Sequence, residues 1–168
     1  MISPLYAANN LIKRANEQGV NLTNLKLQKL LYILYARYYF DVKAALFPDR
    51  FEAWQYGPVL TNVYDIFKVE GSDPIVEMRP DPNGNILIVS EAGKFGSSFD
   101  RVWEDYAHKS ASYLVGLTHG LEAPVGGILD TKYKTAWRKA YEYHGLGSFI
   151  DDDDIKKDGV VWFGEYNH

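Results

Sequence analysis

Apolar residues recur at helical spacing through most of this 168-residue chain, broken by short runs of turn-forming residues. Ser3 followed by Pro4 reads as a helix start, serine as N-cap and proline in the first turn. Tyr6, Ala7, Asn10, Leu11, Arg14 and Ala15 keep the helical period, and Gly19 stands where a left-handed stop residue belongs, so the first helix runs to about Gln18. Thr23 caps a second helix. Leu27, Leu30, Leu31, Leu34, Tyr35 and Tyr38 trace one of its faces, while Leu25, Ile33, Ala36 and Phe40 spread apolar surface around the rest. A helix apolar on most sides is a central one. Arg37 and Asp41, four residues apart on it, read as a surface ion pair.

Phe47-Pro48-Asp49-Arg50 ends that helix, and Phe51 to Trp54 reads as a short extended piece. Gly57-Pro58 then opens a third helix through Leu60, Val63, Tyr64 and Phe67 to Gly71. Ile75 to Met78 and Ile86 to Val89 are β-branched runs around a Pro- and Asn-Gly-rich turn, the pattern of a hairpin. Ser97 or Ser98 caps a helix holding Phe99, Val102, Trp103 and Tyr106, and Ser110 caps another through Leu117. Beyond the loop 123–127, Asp130 or Thr131 caps a helix with Trp137 and Tyr141; Asp151 to Asp154 open a last short helix near Ile155. The apolar tail Val160 to Gly164 either docks or pairs with a strand. The expected fold class is mainly α: one compact helical domain over 1–168 with a small β-hairpin.

Composition narrows the function. Lys+Arg number 18 against Asp+Glu 22, a net charge of −4, with no basic run. Duplex DNA binding relies on lysine and arginine to neutralise phosphates, so nucleic acid is a poor partner for this chain. With no cysteine, disulfide scaffolds and thiolate zinc sites are excluded, and a reducing compartment fits. The N-terminus lacks a signal-peptide pattern, and no apolar stretch approaches the ~20 residues that span a bilayer. The expected location is the cytoplasm, with no membrane partner. The 13 Tyr and 4 Trp matter because both are enriched in protein interfaces, although most build cores.

Catalytic patterns are missing. The histidines (108, 119, 144 and 168) have no metal-ligand spacing, and His119, close to a helix end, reads as structural. Asp151 to Asp154 lack the glycine and terminal glutamate of a calcium loop and read as a solvated helix start. No phosphate-binding glycine loop and no nucleophile elbow is present. The expectation is a protein without enzymatic activity, metal or cofactor.

Two dense blocks remain. One runs Leu22-Thr23-Asn24-Leu25-Lys26-Leu27-Gln28-Lys29-Leu30-Leu31-Tyr32, the other Glu52-Ala53-Trp54-Gln55-Tyr56-Gly57-Pro58-Val59. The plain structural reading has Lys29 lay its stem over apolar surface, Gln28 bond a nearby loop, and Trp54 and Tyr56 pack a corner made by Gly57 and Pro58.

In that order and spacing the blocks resemble the Panacea domain, the SocA/GepA-like family of bacterial and phage-associated antitoxins. The resemblance is close from Leu22 to Lys68 and looser from Leu5 to about Tyr141. A further family segment, Leu-x-x-Leu-Thr-His, is matched by Leu114 to His119, but the Pro-Trp pair that follows it in the family is represented only by Trp137, late and after Thr135-Ala136. The resemblance implies a helical domain, with a small β element, that neutralises a cognate protein toxin encoded by the adjacent gene; the expected mechanism is steric, the toxin's working surface being covered. It places family motif and structural residues at Leu27, Lys29, Leu30, Tyr32, Gly57, Pro58, Thr118 and His119. Tyr35, Tyr38, Tyr39, Trp54 and Tyr56 are the expected partner-binding anchors. Two alternatives stand beside it: an adaptor that delivers a bound partner to a protease, and an enzyme with a site near His119. A DNA-binding autoregulator is a weaker third.

Overall fold

A computed structural model describes residues 1–164. Seven α-helices and one two-stranded antiparallel sheet are found among them: α1 (Pro4–Gln18), α2 (Asn24–Val42), β1 (Glu52–Trp54), β2 (Gly57–Val59), α3 (Thr61–Phe67), α4 (Lys94–Tyr106), α5 (Ala111–His119), α6 (Ala136–His144) and α7 (Asp152–Phe163).

Helix α2 is the hub. It is buried on every side from Lys26 to Arg37 and packs against α1, α3, α4, α5, α7 and β2. Its tyrosines meet aromatic rings edge-on: Tyr32 lies 5.1 Å from Phe51 and 6.0 Å from Trp162, and Tyr35 lies 5.5 Å from Phe51. Full burial of such a side chain stabilises by about 1.5–3 kcal/mol, so this stripe dominates the core. Helix α7 approaches closely because Gly159 has no side chain; a Cβ there would stand 2.8 Å from the Ala36 carbonyl oxygen. The entry to α2 is the expected one, with Thr23 Oγ1 accepting from the Lys26 amide at 3.2 Å. Its exit comes earlier than Pro48: Lys43 adopts a left-handed conformation (φ 62°) and closes the helix with its amide on the Tyr39 carbonyl.

Several sequence expectations are corrected. Residues 75–78 and 86–89 form no strand ladder. Their main chain is held instead by asparagine side chains of α1. Asn9 Nδ2 donates to the carbonyls of Arg79 (3.0 Å) and Leu87 (2.9 Å), while its Oδ1 accepts from the Arg79 amide. Asn10 brackets Val89 in the same way, donating to its carbonyl (2.9 Å) and accepting from its amide (2.8 Å). Asn16 takes the Val76 carbonyl. The small sheet lies elsewhere, at β1–β2, so Gly57 and Pro58 are strand residues and α3 starts only at Thr61. Proline tolerates this place because no ladder bond is asked of its missing N–H.

Helix α4 starts at Lys94 behind Gly93, not at Ser97 or Ser98; Ser98 is buried and donates its hydroxyl to Asp41 Oδ2 at 2.7 Å. That bond also explains why Arg37–Asp41 (2.9 Å) is a partly buried pair and not a surface one. Helix α6 is capped by Thr135, since Asp130 closes a turn on the Lys132 amide. Helix α7, capped by Asp151 as expected, runs on through the apolar tail and buries Trp162 and Phe163.

A buried polar knot ties α2, α6 and α7. Asp158, without solvent exposure, accepts from Tyr32 Oη (2.6 Å), Tyr133 Oη (2.5 Å) and the Ala136 amide (3.1 Å). Burial pushes its carboxyl up to about 7, against the pull of the two tyrosine hydroxyls. No helix of the described residues is long and apolar enough to cross a membrane.

Candidate binding groove

The two sequence blocks meet in space. The outer edge of β2 faces α2, which answers it with side chains in place of a further strand. Gln28 Oε1 accepts from the Leu60 amide at 3.0 Å, and its Nε2 donates to Asn24 Oδ1. One position on, Lys29 Nζ donates to the Pro58 carbonyl at 2.8 Å. Gly57 (φ +111°) lies directly over this lysine: a Cβ there would stand 2.5 Å from Lys29 Cε and 2.9 Å from Thr118 Oγ1. Here glycine is required twice over, by the backbone conformation and by the closeness of approach.

The Leu-Thr-His segment of α5 closes the far side. The Thr118 carbonyl accepts from Thr135 Oγ1 at 2.6 Å, and the His119 carbonyl accepts from Arg138 Nε (3.0 Å) and Nη2 (2.8 Å). The His119 ring stacks on Trp137 with centroids 3.6 Å apart, and the Trp137 indole N–H donates to the Trp54 carbonyl at 2.7 Å. Thus Trp137, late in sequence, is in contact with both the histidine and the hairpin.

Electrostatics set this cluster apart. Lys29 is wholly buried, and among the described residues no carboxylate pairs with it. Burial pulls its ammonium down to about 7. His119 is pulled down to about 4, by burial first and then by the positive charges of Lys29 and Arg138. Its Nε2 is buried without a hydrogen-bond partner. At neutral pH the imidazole is therefore uncharged, stacked on tryptophan beside Lys29 and Arg138. Among the described residues, no group of three or more His, Cys, Asp or Glu is arranged to hold a metal ion.

Above Lys29 opens a groove of about 1010 Å³ between the N-terminal end of α2 and the hairpin. Gln28 and Lys29 belong to its floor; Leu25, Trp54, Tyr56, Tyr64 and Leu146 give it apolar walls. Trp54 is braced by Tyr64, ring centroids 4.8 Å apart, and Tyr56 projects from the hairpin turn at 61% exposure. Leu146, on its wall, is 69% exposed.

The sequence-expected anchors therefore separate. Trp54 and Tyr56 flank the groove. Tyr38 and Tyr39 are half-buried near the other end of α2, where Lys156 Nζ sits 4.6 Å above the Tyr39 ring. Tyr35 is corrected to a core residue: at 1% exposure, packed on Phe47 and Phe51, it offers no surface. Leu27, Leu30 and Tyr32 are core as well, whereas Lys29, Gly57, Pro58, Thr118 and His119 form the cluster beneath the groove. Sequence reasoning missed Tyr64, Leu146 and Arg138. For Tyr64 a signal existed, since it follows the second block closely on the third helix; for the other two none did.

Fold and groove together define a helical domain with an open groove between a small hairpin and a central helix. The chain belongs to the Antitoxin SocA-like, Panacea domain family, whose sequence profile matches residues 27–124. It is 31% identical over 122 residues to a protein named Antitoxin SocA from Caulobacter vibrioides (strain NA1000 / CB15N), a match covering 70% of this chain and 65% of that relative's length. No solved structure matches.

Proposed function

We propose that this protein is an antitoxin that neutralises a cognate protein toxin, encoded by the adjacent gene, by binding it directly in the cytoplasm. The observation that carries the reading is family membership together with 31% identity to a protein named as an antitoxin. The groove supports it physically. A tight interface of standard size buries about 1,600 Å² in total and draws its energy from a few central aromatic or arginine anchors. Trp54, Tyr56 and Leu146, which line the groove, are the candidates for such anchors. The action is steric: the toxin's working surface is covered, and no bond is made or broken.

The test is co-expression. The neighbouring gene is induced alone and together with this chain, and the chain is then pulled down. Growth arrest by the neighbour alone, restored growth with both, and a co-purifying complex support the reading. A harmless neighbour that does not bind overturns it.

A further inference from the structure

We propose that two copies of this protein associate by pairing the extended stretch 85–89 antiparallel with itself, about a two-fold axis at Leu87. The pairing rests on main-chain groups of this chain alone and is independent of the antitoxin reading.

The stretch has one edge occupied and one edge open. The Asn85 carbonyl accepts from the Asp81 amide at 2.9 Å, and the Asn85 amide donates to Asp81 Oδ1 at 3.0 Å. The Leu87 carbonyl goes to Asn9, and both main-chain groups of Val89 go to Asn10. The intervening residues differ. The N–H and C=O groups of Ile86 and Ile88 make no hydrogen bond among the described residues. An extended chain turns the polar groups of successive residues to opposite edges, so these groups line the edge away from the asparagines. Both residues are exposed, and such an edge is a template for a further strand.

The neighbouring arm carries the residues that blunt an edge: Pro74, Glu77, Arg79, Pro80 and Pro82. From Gly84 to Ser90 there is neither a charge nor a proline. This edge is left unguarded.

What names the occupant is the register. Pairing about Leu87 sets Ile86 of one copy against Ile88 of the other, each pair exchanging N–H and C=O both ways. Every open group of the two residues then finds a partner. Leu87 meets Leu87 across the axis, at a position where the strands exchange no bond and the side chains come closest. The run Ile86-Leu87-Ile88 reads the same in both directions, so each contact is made twice. Asn85 falls against Val89 and Gly84 against Ser90, so no like charges meet even though the chain carries −4 overall. The nearest carboxylates are engaged within their own chain, Asp81 by Tyr6 and Glu91 by Arg14 and Asn10.

The contact is small beside a standard interface, so the dimer should be weak and form between about 10 μM and about 1 mM. Sedimentation equilibrium of the full chain over that range is expected to show monomer and dimer. Hydrogen exchange should slow with concentration at the Ile86 and Ile88 amides, by at least about twofold, and stay unchanged at Leu87. Leu87→Lys and Leu87→Glu, at an exposed position, should each be monomeric, because like charges would oppose each other on the axis. Mixed in equal amounts at low salt, the two should associate again. Both are first checked for a native melting temperature; should they fail to fold, the two amides of the native chain decide alone. A chain that stays monomeric throughout, slowing at Leu87 instead, or charged variants that do not associate when mixed overturn the proposal. Slowing at Ile86 and Ile88 only on addition of the adjacent gene's product assigns the edge to that partner and overturns it too. None of these outcomes touches the antitoxin reading, whose failure is read from the neighbouring gene.

Discussion

The indole N–H of Trp137 donates to the main-chain carbonyl of Trp54 across 83 residues of sequence. With its ring stacked on His119 at 3.6 Å, Trp137 fixes the hairpin to the α5 terminus from one side while Lys29 fixes it from the other. The groove wall is held at main-chain positions, so its exposed side chains are not what keeps it in place.

Trp137→Phe keeps an aromatic ring but leaves the Trp54 carbonyl without its donor. A loss of about 1–3 kcal/mol in unfolding free energy is expected from the unsatisfied group. Trp137→Ala should cost about 3–5 kcal/mol. Urea titration followed by circular dichroism measures both, and equal stability of Trp137→Phe and the native chain would refute the role of the bond.

Gly57→Ala combines a φ of +111° with a Cβ 2.5 Å from Lys29 Cε. Destabilisation by about 2–3 kcal/mol is expected from overpacking, before the added backbone strain. A melting temperature unchanged from the native chain would show that the lysine can move aside freely.

Lys29 makes stability depend on pH with a definite sign. Its folded-state value lies at about 7, below the usual 10.5, so the folded form binds fewer protons than the unfolded form between these limits. Its contribution is full above about 10.5 and declines as pH falls to 7. Relative to Lys29→Met, the native chain should gain stability from pH 7 to pH 10. Lys29→Met lacks this titration, so its stability relative to the native chain should fall steadily from pH 7 to pH 10, by about 3–4 kcal/mol for a shift from 10.5 to about 7. Unfolding curves of both proteins across that range decide it; parallel profiles would contradict the assignment.

Asp158 has the opposite sign. With its carboxyl raised from 3.8 to about 7, folding takes up a proton between these values, so its contribution is full below about pH 4 and is lost as pH rises through 7. Asp158→Asn should remove that slope. Asp158→Ala, which strands Tyr32, Tyr133 and the Ala136 amide, should be the more damaging at every pH. The difference in unfolding free energy between native chain and Asp158→Asn, measured from pH 4 to 8, gives the answer.

Asn9→Ala and Asn10→Ala should free the main chain near Arg79 and Val89. Hydrogen exchange at those two amides is expected to speed up selectively, with the protection of α2 unchanged. Uniform acceleration would mean that the asparagines hold the whole core.

What the sequence disclosed follows from the range of each interaction. Thr23, Ser110 and Asp151 were legible as helix starts because a cap acts within its own turn, and Ser3 because Pro4 follows it in the first turn, although the serine side chain makes no capping bond. The burial of α2 was legible because its apolar positions surround the cylinder. That same property hid the difference between Tyr35, sealed in the core, and residues that reach solvent. The hairpin was misplaced because Ile75–Met78 and Ile86–Val89 carry a strand pattern, yet their main chain bonds to the Leu22 carbonyl and to asparagines some 60 to 80 residues away instead of to each other. At the groove, the two blocks were visible as blocks, while Thr135, Trp137, Arg138 and Leu146 join only through folding of the chain beyond His119.

The asparagine grip on residues 76–89 has a consequence for how this surface changes over generations. Amides and carbonyls are identical in every residue, so Asn9, Asn10 and Asn16 hold that stretch without regard to which side chains it carries. Ile86, Leu87 and Ile88, exposed at 54%, 43% and 42%, can be exchanged for other residues at little cost to the helices beneath. The stretch is expected to accept new side chains at these three positions while its main chain stays on the same mount.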